Sequence, residues 1–142
     1  MQGEKGRKQE EAWGKEYGFK RLVVWQNAYA LRLLVYKTTG RFPKIETRRV
    51  SQMRDAARSV KQNIQEGYKR PAIGEYIRFL TIAQSSLAEF SGDIEDCHED
   101  GIITDGEFKD LDALCGKTDY LFNRLIRSLR LKQKEGTWNT RA

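Results

Sequence analysis

The sequence predicts an all-α protein, an up-down-up-down antiparallel four-helix bundle, and three observations carry that expectation. Apolar residues recur every three or four positions through three long segments, the period that lines up one buried face of a helix, and fill a fourth more densely. The chain holds only two prolines, Pro43 and Pro71, each just ahead of an expected helix start, so no proline interrupts a segment from inside. The breaks between segments run about 4 to 6 residues, the length that joins antiparallel neighbours in a bundle.

Residues 1–18 are polar and glycine-containing, with Trp13 and Tyr17 as the only apolar anchors, which predicts a flexible arm. The bundle is expected over residues 19–132. Its first helix, from about Lys20 to Thr39, carries Leu22, Trp25, Ala28, Tyr29, Leu31, Leu33, Val35 and Tyr36. That is too dense for a single stripe, so this helix is expected to be broadly buried, with Gly40 as its stop. Phe42-Pro43 makes the corner, because a residue before proline is pushed out of the helical region. The second helix, from about Glu46 to Tyr68, has one stripe of Val50, Met53, Ala57, Val60, Ile64 and Tyr68, and Gly67 is read as its left-handed closing residue.

The third helix starts near Ile73 and keeps its spacing through Ile77, Leu80, Ala83, Leu87, Phe90 and Ile94, for about six turns. After the Asp100-Gly101 break, Thr104 and Glu107 have the spacing of a capping box, in which hydroxyl and carboxylate satisfy backbone donors at a helix start. Phe108, Leu111, Leu114, Cys115, Thr118, Leu121, Phe122, Leu125 and Leu129 carry the fourth helix to about Lys132, with residues 133–142 expected to fray. Its acids lie early and Arg124, Arg127 and Arg130 late, as the helix dipole favours.

A second line on the second helix is polar: Gln52, Ser59, Asn63 and Glu66 follow one another at helical spacings. Ser86 and Glu89 form a similar pair on the third helix. Groups of this kind in a row beside a core predict a polar seam, either satisfied between helices two and three or turned toward a partner.

Charge is segregated along the chain, whose net charge is +6. Arg21 to Arg70 holds twelve Lys or Arg against Glu46, Asp55 and Glu66, a net +9, and Glu89 to Asp112 holds ten acids against Lys109, a net −9. An antiparallel bundle brings the start of the second helix to the same end as the loop between helices three and four, so part of this polarity cancels within one subunit. The rest has three readings: a solvated face, a contact between basic and acidic faces of neighbouring subunits in a ring, or a phosphate-binding patch of Arg41, Lys44, Arg48, Arg49, Arg54, Arg58 and Lys61.

Other classes find little support. No apolar run approaches the roughly 20 residues a membrane helix needs, and the N-terminus has no apolar stretch of a secretory signal. Cys97 and Cys115 lack the number and spacing of a metal site or disulfide scaffold, and are read as reduced thiols of a cytoplasmic protein. Glu95-x-x-His98 has the ligand spacing of a di-iron bundle, but such a site needs two copies and His98 is the only histidine. Ser59, Ser86, Glu66 and Glu89 could form an acid-base site, against the simpler account of an interhelical hydrogen-bond network. No catalytic residue, metal or cofactor is expected.

Several motifs together resemble a known family. They are Leu22-Val23-Val24-Trp25-Gln26 with Ala28; Phe42-Pro43-Lys44; Gln52-x-Arg54-x-Ala56-Ala57-x-Ser59-Val60-x-x-Asn63-Ile64-x-Glu66-Gly67; and Tyr76-x-x-Phe79-Leu80-x-Ile82-Ala83-x-x-Ser86-x-x-Glu89. Over about Phe19 to Leu131 the chain is similar to the four-helix bundle proteins encoded in intervening sequences of bacterial 23S ribosomal RNA genes. That resemblance implies a four-helix bundle, usually a ring-like homopentamer. It also implies kinship with the accessory variability determinant of diversity-generating retroelements, a basic bundle that binds a reverse transcriptase and nucleic acid. Asp55, Gln65 and Ser85 depart from the family pattern, where a second arginine, an alanine and a glycine are common. The function expected is that of a non-enzymatic oligomer whose Arg48, Arg49, Arg54, Arg58, Lys61, Lys69 and Arg70 contact RNA, DNA or a reverse transcriptase through phosphate charge. The competing expectation is a pure assembly protein with no nucleic-acid binding of its own.

Overall fold

The periodic segments fold into four α-helices, α1 Val23–Thr39, α2 Thr47–Tyr68, α3 Ile73–Glu99 and α4 Asp105–Glu135. They belong to a computed structural model that describes residues 18–138, so the expected arm over 1–17 and residues 139–142 lie outside it. Short 3-10 turns at Gly18–Arg21 and Lys44–Glu46 lead into α1 and α2. Among the described residues there is no strand, and no helix is long and apolar enough to cross a membrane.

Each helix packs against two neighbours in the cycle α1, α2, α3, α4, and the diagonal pairs stay apart. Side-chain bonds fix the directions. Trp25 near the start of α1 bonds Gln65 near the end of α2, while Arg54 of α2 reaches back to Tyr36 and Thr39. Arg49 meets Asp100 and Ser59 meets Ser86, so α3 runs against α2; Gln84 bonds Asp119 and Asn123 while His98 bonds Asp105, so α4 runs against α3. One core fills the space between them, with Leu31, Met53, Ile64, Tyr76, Leu80, Phe90 and Phe122 almost wholly removed from water.

The two ends of the bundle close differently. At one end Phe19 packs on Trp25 and Tyr68, Tyr68 on Tyr76, and Tyr76 on Trp138, with ring centroids 5.5 to 6.4 Å apart. At the other end the closure is polar: Thr104 and Glu107 form both bonds of the expected capping box, and His98 bonds Asp105 while stacking on Phe108.

The helix ends correct several expectations. Gly67 lies inside α2 and is not left-handed; among the described glycines only Gly101 and Gly136 have positive φ. Gly67 is there for space, since a Cβ on it would stand 2.8 Å from the Cβ of Phe79 and 3.2 Å from Tyr76. Gly40 does stop α1 as expected, capping it in a right-handed conformation with φ −61°. The expected fraying after Lys132 is absent over residues 133–138: α4 runs to Glu135, Gly136 at φ 69° ends it, and the amides of Gly136 and Thr137 bond the carbonyls of Gln133 and Lys132. Beyond that cap the Trp138 indole donates to the Pro71 carbonyl. Broad burial of α1 also fails, because Val23, Tyr29, Leu33 and Tyr36 on its outer side remain 41 to 56% exposed.

Because the backbones of α2 and α3 meet at Gly67, Gly67→Ala should destabilise the fold by about 1–3 kcal/mol. The measurement is a lower midpoint of chemical unfolding with an unchanged slope; an unchanged midpoint would mean the two helices can move apart freely there.

Candidate nucleic-acid interface

The polar seam forms in part, and its centre is internally satisfied. Ser59 and Ser86 share a hydrogen bond of 2.9 Å across the α2–α3 contact, and the Asn63 amide donates to the Ser59 carbonyl and hydroxyl at 2.8 and 3.0 Å. Gln52, Glu66 and Glu89 lie exposed at its margins. Neither carboxylate bonds a seam serine; Glu66 has a loose ion pair of 4.0 Å with Arg70. The serines and acids are therefore not assembled into an acid-base site. Among the described residues no group of three or more His, Cys, Asp or Glu is placed to hold a metal ion.

The expected basic patch divides. At the polar end Arg49 donates to Glu46 at 2.9 Å, to Asp100 at 3.0 Å and to the Cys97 sulfur at 3.8 Å, and Arg41 is paired with Glu107. Burial works against the Arg49 charge, but the bonds to Asp100, Cys97 and Glu46 outweigh it and hold the guanidinium more firmly protonated than usual. Both arginines thus neutralise acids of their own chain. Beside them a cleft of about 370 Å³ is lined on one side by Arg48, Arg49 and Gln52 and on the other by Asp93, Asp96 and Asp100. The Asp93 Oδ2 is buried there without a hydrogen bond. Burial pushes its carboxyl above the ordinary range, Glu89 and Asp96 add to that, and Arg49 opposes it. The thiols are buried too: burial raises Cys97 despite the Arg49 contact, and pushes Cys115 up to about 11.

The groove between α1 and α2 differs. Arg54 is held over the Tyr36 ring, 3.9 Å from its centroid, by bonds to Thr39 Oγ1 at 2.9 Å and the Tyr36 carbonyl at 3.3 Å. Further along, the Trp25 indole donates to Gln65 at 3.0 Å and stacks on Tyr29, with centroids 5.3 Å apart and planes 11° from parallel. Lys61 reaches the same Gln65 oxygen at 3.4 Å. Burial lowers the Lys61 amine, and the neighbouring charges of Arg32, Arg58 and Lys20 lower it further. Arg32, Arg54, Arg58 and Lys61 make no ion pair among the described residues. Lys44, Arg48 and Lys69 are exposed elsewhere, and Arg70 lies 4.9 Å over the Phe79 ring.

The sequence reading missed the α1 half of this groove. Tyr29, Arg32 and Tyr36 lie at helical spacing opposite Arg54, Arg58 and Lys61, but in α1 the tyrosines read as core. Gln65, noted as a departure from the family pattern, is the side chain that ties Trp25 to α2.

A closed antiparallel four-helix bundle with a basic groove on one side and a neutralised polar end defines the class. Within that class the chain belongs to the family described as 23S rRNA-intervening sequence protein, whose pattern matches residues 20–124. Among solved structures it is similar to a protein of unknown function from the S23 ribosomal protein family of Bacteroides thetaiotaomicron VPI-5482. The TM-score is 0.68 at 19% identity, over 73% of this chain and 98% of that one, a likeness of fold. Among curated proteins none matches.

Asp93 supplies a test of the polar end. Its carboxyl has a higher pKa folded than unfolded, so the stability it contributes is complete when protonated in acid and is lost as pH rises through the folded value. Asp93→Asn should raise the melting temperature by a few degrees at neutral pH, and the gain should vanish by about pH 4. An equal gain at both pH values in thermal unfolding would show that charge is not the cause.

Proposed function

We propose that the protein is a non-enzymatic, cytoplasmic accessory factor that binds RNA or DNA through phosphate charge and acts as a ring-like homo-oligomer. The observation that carries this reading is the uncompensated set Arg32, Arg54, Arg58 and Lys61 on one face, while Arg41 and Arg49 are spent on acids of the same chain. Cations held near one another without acids gain most from an anion that releases its own counterions. Repeating the face around a ring, with five copies as the family resemblance implies, raises avidity even when each subunit binds weakly. The kinship with retroelement accessory proteins that the sequence resemblance implies supports a reverse transcriptase as the protein partner, with the bundle presenting template or transcript to it.

A second reading, assembly alone, is favoured by exposed apolar residues on the outer sides of α1 and α4: Val23, Leu33, Tyr120 and Leu131. The two readings part on charge reversal. Arg32→Glu with Arg58→Glu should weaken binding of a mixed-sequence oligonucleotide at least about tenfold at low salt and flatten its salt slope by about 2. Light scattering should report an unchanged particle. Arg41→Ala should leave affinity within about twofold, because that charge is already matched by Glu107. No retention of RNA or DNA by the wild-type protein at low salt would end the first reading, and smaller particles in the reversed variant would favour the second.

A further inference from the structure

We infer that the α1–α2 groove is a track for single-stranded nucleic acid, with Tyr29 and Tyr36 as base-stacking platforms and Arg32, Arg54, Arg58 and Lys61 as phosphate contacts. This rests on the nucleic-acid reading above and goes further by assigning the strand form and residues of α1.

Three features of the groove point the same way. First, the two tyrosines are exposed yet braced. Tyr29 is 41% exposed and stacked on buried Trp25, and Trp25 is itself pinned to Gln65. Tyr36 is 56% exposed with the Arg54 guanidinium laid on its ring, and Arg54 is fixed by Thr39 and the Tyr36 carbonyl. Rings held this way lose little freedom when a base stacks on them, so the cost of ordering is met during folding.

Second, the spacings match a single strand. Tyr29 and Tyr36 are two helical turns apart, as are Arg54 and Lys61, about 10 Å in each case. At about 3.4 Å per nucleotide along one strand, that spans roughly three nucleotides. The two rows lie on antiparallel helices whose axes are about 8–10 Å apart, so bases can lie on the α1 row while phosphates follow the α2 row.

Third, the charge is of one sign. The charges of Arg32 and Arg58 bear on Lys61, and Arg32, Arg54, Arg58 and Lys61 make no ion pair among the described residues. A second copy of the chain would need an acidic ridge with flat rings to match this groove. A single strand brings both chemistries in one polymer, since every base has a π-face and every step a phosphate. A duplex brings the phosphates but keeps its base faces stacked on each other.

The test compares the full-length protein with a mixed-sequence RNA of about 20 nucleotides, alone and annealed to its complement, at one salt concentration. Three proteins are used: wild type, Tyr29→Leu/Tyr36→Leu, which keeps apolar bulk without the rings, and Tyr29→Phe/Tyr36→Phe, which keeps the rings. Circular dichroism and light scattering check fold and particle size for each. The expected result is single-strand binding at least about tenfold tighter than duplex binding. The leucine variant should lose about tenfold or more for the single strand only, and the phenylalanine variant should bind as wild type. Equal affinity for both forms, or a leucine variant that binds the single strand normally, overturns this inference while leaving the electrostatic reading in place. A leucine variant that is folded but forms smaller particles also overturns it, because the groove would then be a contact between copies. If wild type binds neither RNA form, nor the DNA single strand and duplex of the same sequence, both proposals fall together.

Discussion

The fold depends on how closely α2 can approach α3. Along that contact Gly67 lies against Phe79 and Tyr76, and Ser59 against Ser86, small residues at both points on α2. Small groups bring backbones together, and at Gly67 the approach is tight enough that even a methyl group meets Phe79. The hydroxyl pair then sets the register. Sliding α2 against α3 by one turn would separate Ser59, which keeps Asn63, from Ser86 and leave the half-buried Ser86 hydroxyl unmatched, at about 1–3 kcal/mol if it stays unsatisfied. Apolar packing alone tolerates such slippage far better than a hydrogen bond does.

With that pair fixed, the rest of the bundle follows from what each end must close. The aromatic chain from Trp25 to Trp138 ties residues before α1 and after α4 to the α2–α3 turn, so the segments beyond the outer helices become part of the core boundary. At the opposite end Arg41 and Arg49 meet the acids of the α3–α4 loop region. The strong opposition of charge along the sequence is thereby spent within one chain at that end, and it is not spent along α1 and the α1-facing side of α2.

The fold was legible because its signals are redundant: helix period, proline placement and loop length all pointed to four helices. The capping box was legible because Thr104 and Glu107 carry its chemistry in their own side chains. Glycine roles were harder. Gly67 suggests a helix end from sequence, yet its role is set by Phe79 and Tyr76 on another helix. Residues 133–138 look polar and loose, but the Gly136 cap and the Trp138 indole hold them in place through partners in earlier parts of the chain. The basic patch was legible as composition and illegible as geometry. Nothing in the sequence of Arg49 distinguishes it from Arg48, although one is tied to two carboxylates and the other is exposed. The α1 half of the groove was hidden for a different reason, since a helix apolar on two sides shows no period that separates core from surface.

That division among arginines decides where an anion can gain most. A phosphate that recruited Arg49 would have to replace its bonds to Glu46 and Asp100 with bonds of the same kind, and would leave two carboxylates facing it. A phosphate at Arg58 displaces water and mobile ions and meets Arg32 and Lys61 nearby. The same cation type at two places on one helix therefore serves opposite ends. Arg49 holds the bundle shut and is poorly placed to bind, whereas Arg58 adds nothing visible to the fold and keeps its full charge for whatever comes to the groove.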